Sequence, residues 1–197
     1  GRAPHALADA GWGAAGSWCA RLAIREAEAV SAFEELAREL QALGAPTALI
    51  ERAEAARDDE LRHARICARM AGVEPPVAPP IEPRNVEPVA FARLNASEGC
   101  VRETFAVIDT MARARATQEP AVRAALESIA KDELRHAQLS WDIHAWIQGG
   151  ALGPDAAAAA NEAKRRAAHH LLARANQSEA DDCPAPLSRR VRRQLAE

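Results

Sequence analysis

The hexapeptide Asp-Glu-Leu-Arg-His-Ala occurs twice in this chain, at Asp59–Ala64 and at Asp132–Ala137. Both copies lie in long stretches dominated by alanine, leucine, arginine and glutamate, all good helix formers. Written at alternating spacings of three and four, the second helical stretch reads Ile50, Ala53, Ala56, Glu60, His63, Cys67, Met70. The fourth reads Val122, Leu126, Ile129, Glu133, His136, Ser140, Ile143, Ile147. In both copies a glutamate and a histidine therefore fall on the apolar stripe, where a helix normally carries its core residues. Any fold of this chain has to bury two carboxylates and two imidazoles.

The order of segments shows how the two copies can meet. A first helix is predicted from Ser17 to Leu43, ending at Gly44 and Pro46, and a second runs to Ala71 and ends at Gly72. Residues 73–90 hold six prolines and are neither helix nor central strand. Extended, eighteen residues reach about 55 Å, against about 38 Å for a 25-residue helix. This linker can run the length of a bundle. A third helix is predicted from Phe91 to Thr117 and a fourth from Pro120 to Gln148. Tyrosine is absent and β-branched runs are missing, so strand signals are weak throughout. The expectation is an all-α chain of 197 residues with one core. Residues 1–16 are a loose leader, 17–148 a four-helix bundle with a crossover at 73–90, and 149–197 accessory helices and tail. The accessory part comprises an alanine-rich helix at 155–175 and a short basic segment near the end.

The other two helices carry one stripe carboxylate each. The first reads Cys19, Leu22, Glu26, Ala29, Phe33, Leu36, Leu40, Leu43, and the third reads Leu94, Glu98, Val101, Phe105, Ile108, Ala112. Four carboxylates and two imidazoles would thus face one another, at a cost that calls for positive charge among them. Two divalent cations balance four carboxylates and leave one neutral histidine per metal. A Glu from each of two helices plus Glu-x-x-His from each of the other two is a known way to build such a centre. Candidate ligands are Glu26, Glu60, His63, Glu98, Glu133 and His136. Asp59 and Asp132 are placed to orient the imidazoles, and Arg62 and Arg135 to pair with those aspartates. Glu103 lies off the stripe and joins the group only if a π-bulge turns it inward.

A single Glu-x-x-His on an alanine-rich helix is ordinarily a solvated face or a surface ion pair. Duplication alone explains two identical hexapeptides. It does not explain why the charged residues lie on the core stripes, or why Glu26 stands 34 residues before Glu60 and Glu98 35 before Glu133.

On these residues the chain resembles the ferritin-like di-iron carboxylate superfamily, whose oxygen-activating members share a doubled pattern of Glu, about thirty residues, then Asp-Glu-x-Arg-His. Here the pattern is Glu26 with Asp59–His63 and Glu98 with Asp132–His136, over roughly residues 17–148. The resemblance implies an antiparallel four-helix bundle with the crossover between helices two and three, and two irons bridged by Glu60 and Glu133. Ferroxidases, peroxidases, manganese catalases, hydroxylases, N-oxygenases and desaturases share that scaffold, and fold does not choose among them. The absence of tyrosine argues against a ribonucleotide reductase small subunit. Cys19, Cys67, Cys100 and Cys183 form no Cys-x-x-Cys pair, which argues against a built-in rubredoxin module.

The expected function is a di-iron oxidoreductase that activates O2 or peroxide, the alternative a ferritin-like iron-binding or ferroxidase protein without organic substrate. The cofactor is two Fe ions, with Mn accepted by the same ligand types. The expected partners are the oxidant and an external electron donor. A homo-oligomer is compatible with the sequence. A net charge of −3 gives no general attraction to nucleic acid or anionic lipid, and no apolar run reaches membrane-spanning length. The sequence leaves localisation open, with the cytoplasm favoured over export, and it does not open on methionine, which leaves the natural start open. Cys19 and Cys67 are read as two buried thiols facing each other, with a disulfide as the alternative. His144 is read as a core or rim histidine, His169 and His170 as surface, and Trp141 and Trp146 as packing the far end of the fourth helix.

Overall fold

The computed structural model describes residues 13–81 and 85–177. Part of the leader, the basic segment near the end and Cys183 lie outside the described residues. Those described form five helices and no strand. Helix α1 spans Gly13–Ala42 and α2 spans Thr47–Ala71. Helix α3 is built from three segments, Pro88–Leu94, a π-helical Asn95–Glu103, and Thr104–Ala116. Helix α4 spans Pro120–Trp146 and α5 spans Pro154–Gln177.

The stops and starts have local causes. Gly72 takes the left-handed conformation at φ 70, which lets Val73 N–H close on Ala68 O at 3.0 Å and ends α2. The Glu87 side chain accepts from Ala90 N–H at 2.8 Å and Pro88 opens α3, three residues before the predicted start. Between them the described part of the proline-rich segment, residues 73–81 and 85–87, is irregular, and Pro79 O accepts from Ser31 Oγ at 2.6 Å, so the crossover passes alongside α1. Short turns make α1 antiparallel to α2, and α3 antiparallel to α4; α2 also meets α4, and α5 lies along the first two segments of α3.

The stripe of α4 is buried from Val122 to Ile147, and those of α1 and α2 are buried or half-buried, in layers. At one end Phe33, Leu40, Leu49, Phe91, Leu139, Ile143 and Ile147 form the main apolar cluster. At the other, Ala23, Cys67 and Ile129 form a second, and Val122 and Leu126 sit in a third. Between these layers lie Glu26, Glu60, His63, Glu133 and His136, all buried. The alanine-rich helix α5, read as accessory, adds Ala156 and Ala160 to the main cluster, both fully buried. Leu40→Ala should cost about 2–5 kcal/mol of unfolding free energy, the usual range for a buried leucine. A urea unfolding midpoint unchanged from wild type would contradict that placement.

Two readings of side-chain position are corrected. On α3, Leu94 and Ile108 are 46% and 37% exposed, while Ala92, Ala96, Cys100 and Val107 are buried. The helix turns its small residues inward, and a stripe traced through its larger apolar residues follows the wrong face. Trp141 is 41% exposed on α4, and only Trp146 packs against the main cluster. Cys19, Cys67 and Cys100 are buried, and none of the three is in a disulfide. His169 and His170 are exposed. Among the described residues no helix is long and apolar enough to cross a membrane.

Candidate metal centre

Glu26 from α1, Glu60 and His63 from α2 and Glu133 from α4 bring one ligand atom each within 4.8 Å of one another, and all four are buried. Glu103 from α3 makes a second such group with Glu133 and His136. The two groups share Glu133. Glu60 also faces both histidines, with one oxygen 3.5 Å from His63 Nδ1 and the other 3.1 Å from His136 Nδ1. Glu133 does the same at 3.4 and 3.5 Å. Glu26 stands 3.8 Å from His63 Nδ1.

Glu98 is not in this group. Its side chain is 45% exposed and pairs with Arg102 one turn along, at 2.8 Å. Glu103, off the predicted stripe, takes the inward position. It lies at the end of the π-helical segment Asn95–Glu103, the kind of widened turn on which its inward position depended. Glu28 is exposed.

The aspartates of the hexapeptides reach across the bundle. His63 Nε2 meets Asp132 Oδ2 at 3.1 Å, and His136 Nε2 meets Asp59 Oδ2 at 3.3 Å, so each copy orients the other copy's imidazole. Arg62 bonds both Asp59, at 2.8 Å, and Asp132. Arg135 bonds both as well, at 2.8 and 2.7 Å. The four side chains close a ring on the outer side of the histidines. Burial pushes both aspartates up, but the hydrogen bonds from the arginines and histidines prevail and hold them below the usual carboxylate range.

An ionised aspartate only accepts, so each histidine must donate from Nε2, and the hydrogen-bond network assigns the proton of the neutral ring to that atom. This leaves a lone pair on Nδ1, aimed among the glutamates. Both Nδ1 atoms and Glu60 Oε2 are buried without a hydrogen-bond partner. Orphaned buried polar atoms are rare and call for an explanation. Ligand atoms that share one ion about 2.1 Å away stand about 3 Å apart when at right angles, close to the spacings seen here. The donor set, carboxylate oxygen plus imidazole nitrogen, suits a divalent metal.

Without a metal, protons must balance the charge. Burial pushes Glu26 up to about 8, opposed by the attraction of nearby His63 and reinforced by repulsion from Glu60 and Glu133. Burial, reinforced by Glu133, also raises Glu103. For the histidines burial acts downward, but the surrounding glutamates outweigh it and lift His63 to about 12 and His136 to about 10. The same contacts hold Glu60 and Glu133 low against their burial. A cluster that gathers protons this way can exchange them for metal ions.

Set against family models, curated proteins and solved structures, the chain finds no match. The described residues form a helical bundle with a buried Glu/His cluster that could hold a metal ion.

Proposed function

We propose that this chain is a ferritin-like di-iron oxidoreductase that activates dioxygen or peroxide. The observation that carries the reading is the pair of buried Nδ1 atoms of His63 and His136, without hydrogen-bond partners, facing the buried Glu26, Glu60 and Glu133 and the half-buried Glu103. Glu26 and His63 would hold one ion and Glu103 and His136 the other, with Glu60 and Glu133 shared between them. Bound there, two irons would supply the redox equivalents and Lewis acidity that reduction of an oxidant requires. The chain's own residues set the conditions. Asp132 and Asp59 fix the imidazole tautomers and point their lone pairs inward. The arginine ring keeps those aspartates ionised. Phe33, whose ring lies 4.9 Å from His136, and Ile129 shield the layer from water.

An organic substrate would dock in the open surface groove of about 510 Å³ between α3 and α4. The groove is lined by Thr104, Val107, Ile108, Leu134, Ala137, Gln138 and Trp141, mostly apolar, and Thr104, Leu134 and Ala137 are chain neighbours of Glu103, Glu133 and His136. An external electron donor is needed when dioxygen is the oxidant.

The test is oxygen uptake by anaerobically prepared iron(II) protein. Wild type should consume oxygen faster than the Glu60→Ala, Glu133→Ala double variant, and equal rates would refute the reading. Iron loading far above two per chain would replace it with iron storage. Asp132→Ala leaves every direct ligand in place, yet metal affinity should fall about 10–100-fold, the usual cost of losing a group that orients a ligand imidazole. Competition against a chromophoric chelator measures this, and unchanged affinity would remove the orienting role.

A further inference from the structure

We infer that Gly99 is a positioning residue for the second half of the metal centre: its missing side chain lets α3 lie flush against Ser140 of α4 and so sets Glu103 beside Glu133 and His136. This rests on the metal-binding reading above. A Cβ built at Gly99 would come 2.5 Å from Ser140 Oγ and 2.8 Å from Ser140 Cβ, distances that real atoms do not share. The helices are therefore closer here than any other residue at position 99 would allow.

The contact is also bonded. Asn95 Nδ2 donates to Ser140 O at 3.1 Å and Cys100 Sγ donates to the same oxygen at 3.4 Å. Asn95, Cys100 and Ser140 are all buried. Three residues of the π segment thus converge on one residue of α4. Because α3 and α4 are antiparallel, four residues on from Gly99 is Glu103, and four residues back from Ser140 is His136. The flush contact lies about one helical turn from the Glu103, Glu133 and His136 group. Glu26, Glu60 and His63 come from α1 and α2, on which this contact does not act. Spreading α3 from α4 by the width of a methyl group withdraws Glu103 and leaves the other half of the centre assembled.

Anaerobic iron(II) titration, with bound metal counted by mass spectrometry, tests this on wild type, Gly99→Ala, Ser140→Gly and the double variant. Wild type and Ser140→Gly should bind two ions per chain. Gly99→Ala should bind one tightly and the second at least about tenfold more weakly. The double variant should regain the second, because Ser140→Gly removes the two atoms that the new methyl would overlap and leaves only the Asn95 Oδ1 contact at 3.2 Å. A general loss of packing would weaken both ions and would not be rescued by a second cavity-forming change. Gly99→Ala that binds two ions as wild type does, or a folded double variant that stays at one, would overturn the inference while the metal reading stands. Wild type that takes up no iron would overturn both.

Discussion

Glu133→Gln is expected to abolish tight metal binding at both positions, whereas Glu103→Gln should remove one ion per chain and Glu98→Gln neither. The three changes are chemically identical, so the difference comes from place. Glu133 contributes to both groups of ligand atoms, Glu103 to one. Glu98 is paired with Arg102 at the surface. Loss of a direct carboxylate should cost more than the roughly 10–100-fold lost with an outer hydrogen-bond partner. Metal counting after gel filtration reads the result. If Glu98→Gln lost an ion and Glu103→Gln did not, the placement of α3 described above would be wrong.

The metal-free protein should lose stability as the pH rises from about 6.5 to 9, and the metal-bound protein should not. Glu26, ordinarily at 4.5, keeps its proton up to about 8 in the folded chain. His63 and His136, ordinarily at 6.5, keep theirs up to about 12 and about 10. The folded chain then binds more protons than the unfolded one, so the stability these groups give is full below their ordinary values and drains away as pH climbs through the raised ones. Each proton so held corresponds to about 1.4 kcal/mol lost per pH unit. Glu60, Glu133, Asp59 and Asp132 act in the opposite sense, but their contribution is complete above their ordinary values of 4.5 and 3.8. Metal binding displaces the protons, so affinity should rise over the same interval. Melting temperatures at pH 6.5 and 9, with and without metal, should diverge; parallel profiles would contradict the charge balance.

Helices α1 and α4 could be read from spacing because large apolar residues share the stripe with the buried charges, and α2 because the repeated hexapeptide puts its glutamate and histidine in register with those of α4. On α4, Leu126 and Ile129 precede Glu133, and Ile143 and Ile147 follow His136. The crossover was legible in its prolines. Helix α3 was not, because contact with α4 and α5 favours small side chains on its inner face and leaves Leu94 and Ile108 outside. Hydropathy weights residues by apolar surface, and a close helix contact is made by residues with little of it. The same holds for α5, whose Ala156 and Ala160 pack where a larger residue would not fit. The exchange of aspartates between the two hexapeptides was hidden for another reason. Spacing along one helix shows that Asp59 lies on the side of His63, but the bond to His136 exists only once α2 and α4 are side by side.

The central claim is that the buried Glu/His layer holds two metal ions. It is tested most directly by stripping the protein with chelator, titrating it anaerobically with iron(II), and counting bound iron per chain. Saturation at two ions per chain, lost in the Glu60→Ala, Glu133→Ala variant, is the expected result. No uptake by the folded protein would mean that the repeated hexapeptide serves packing alone.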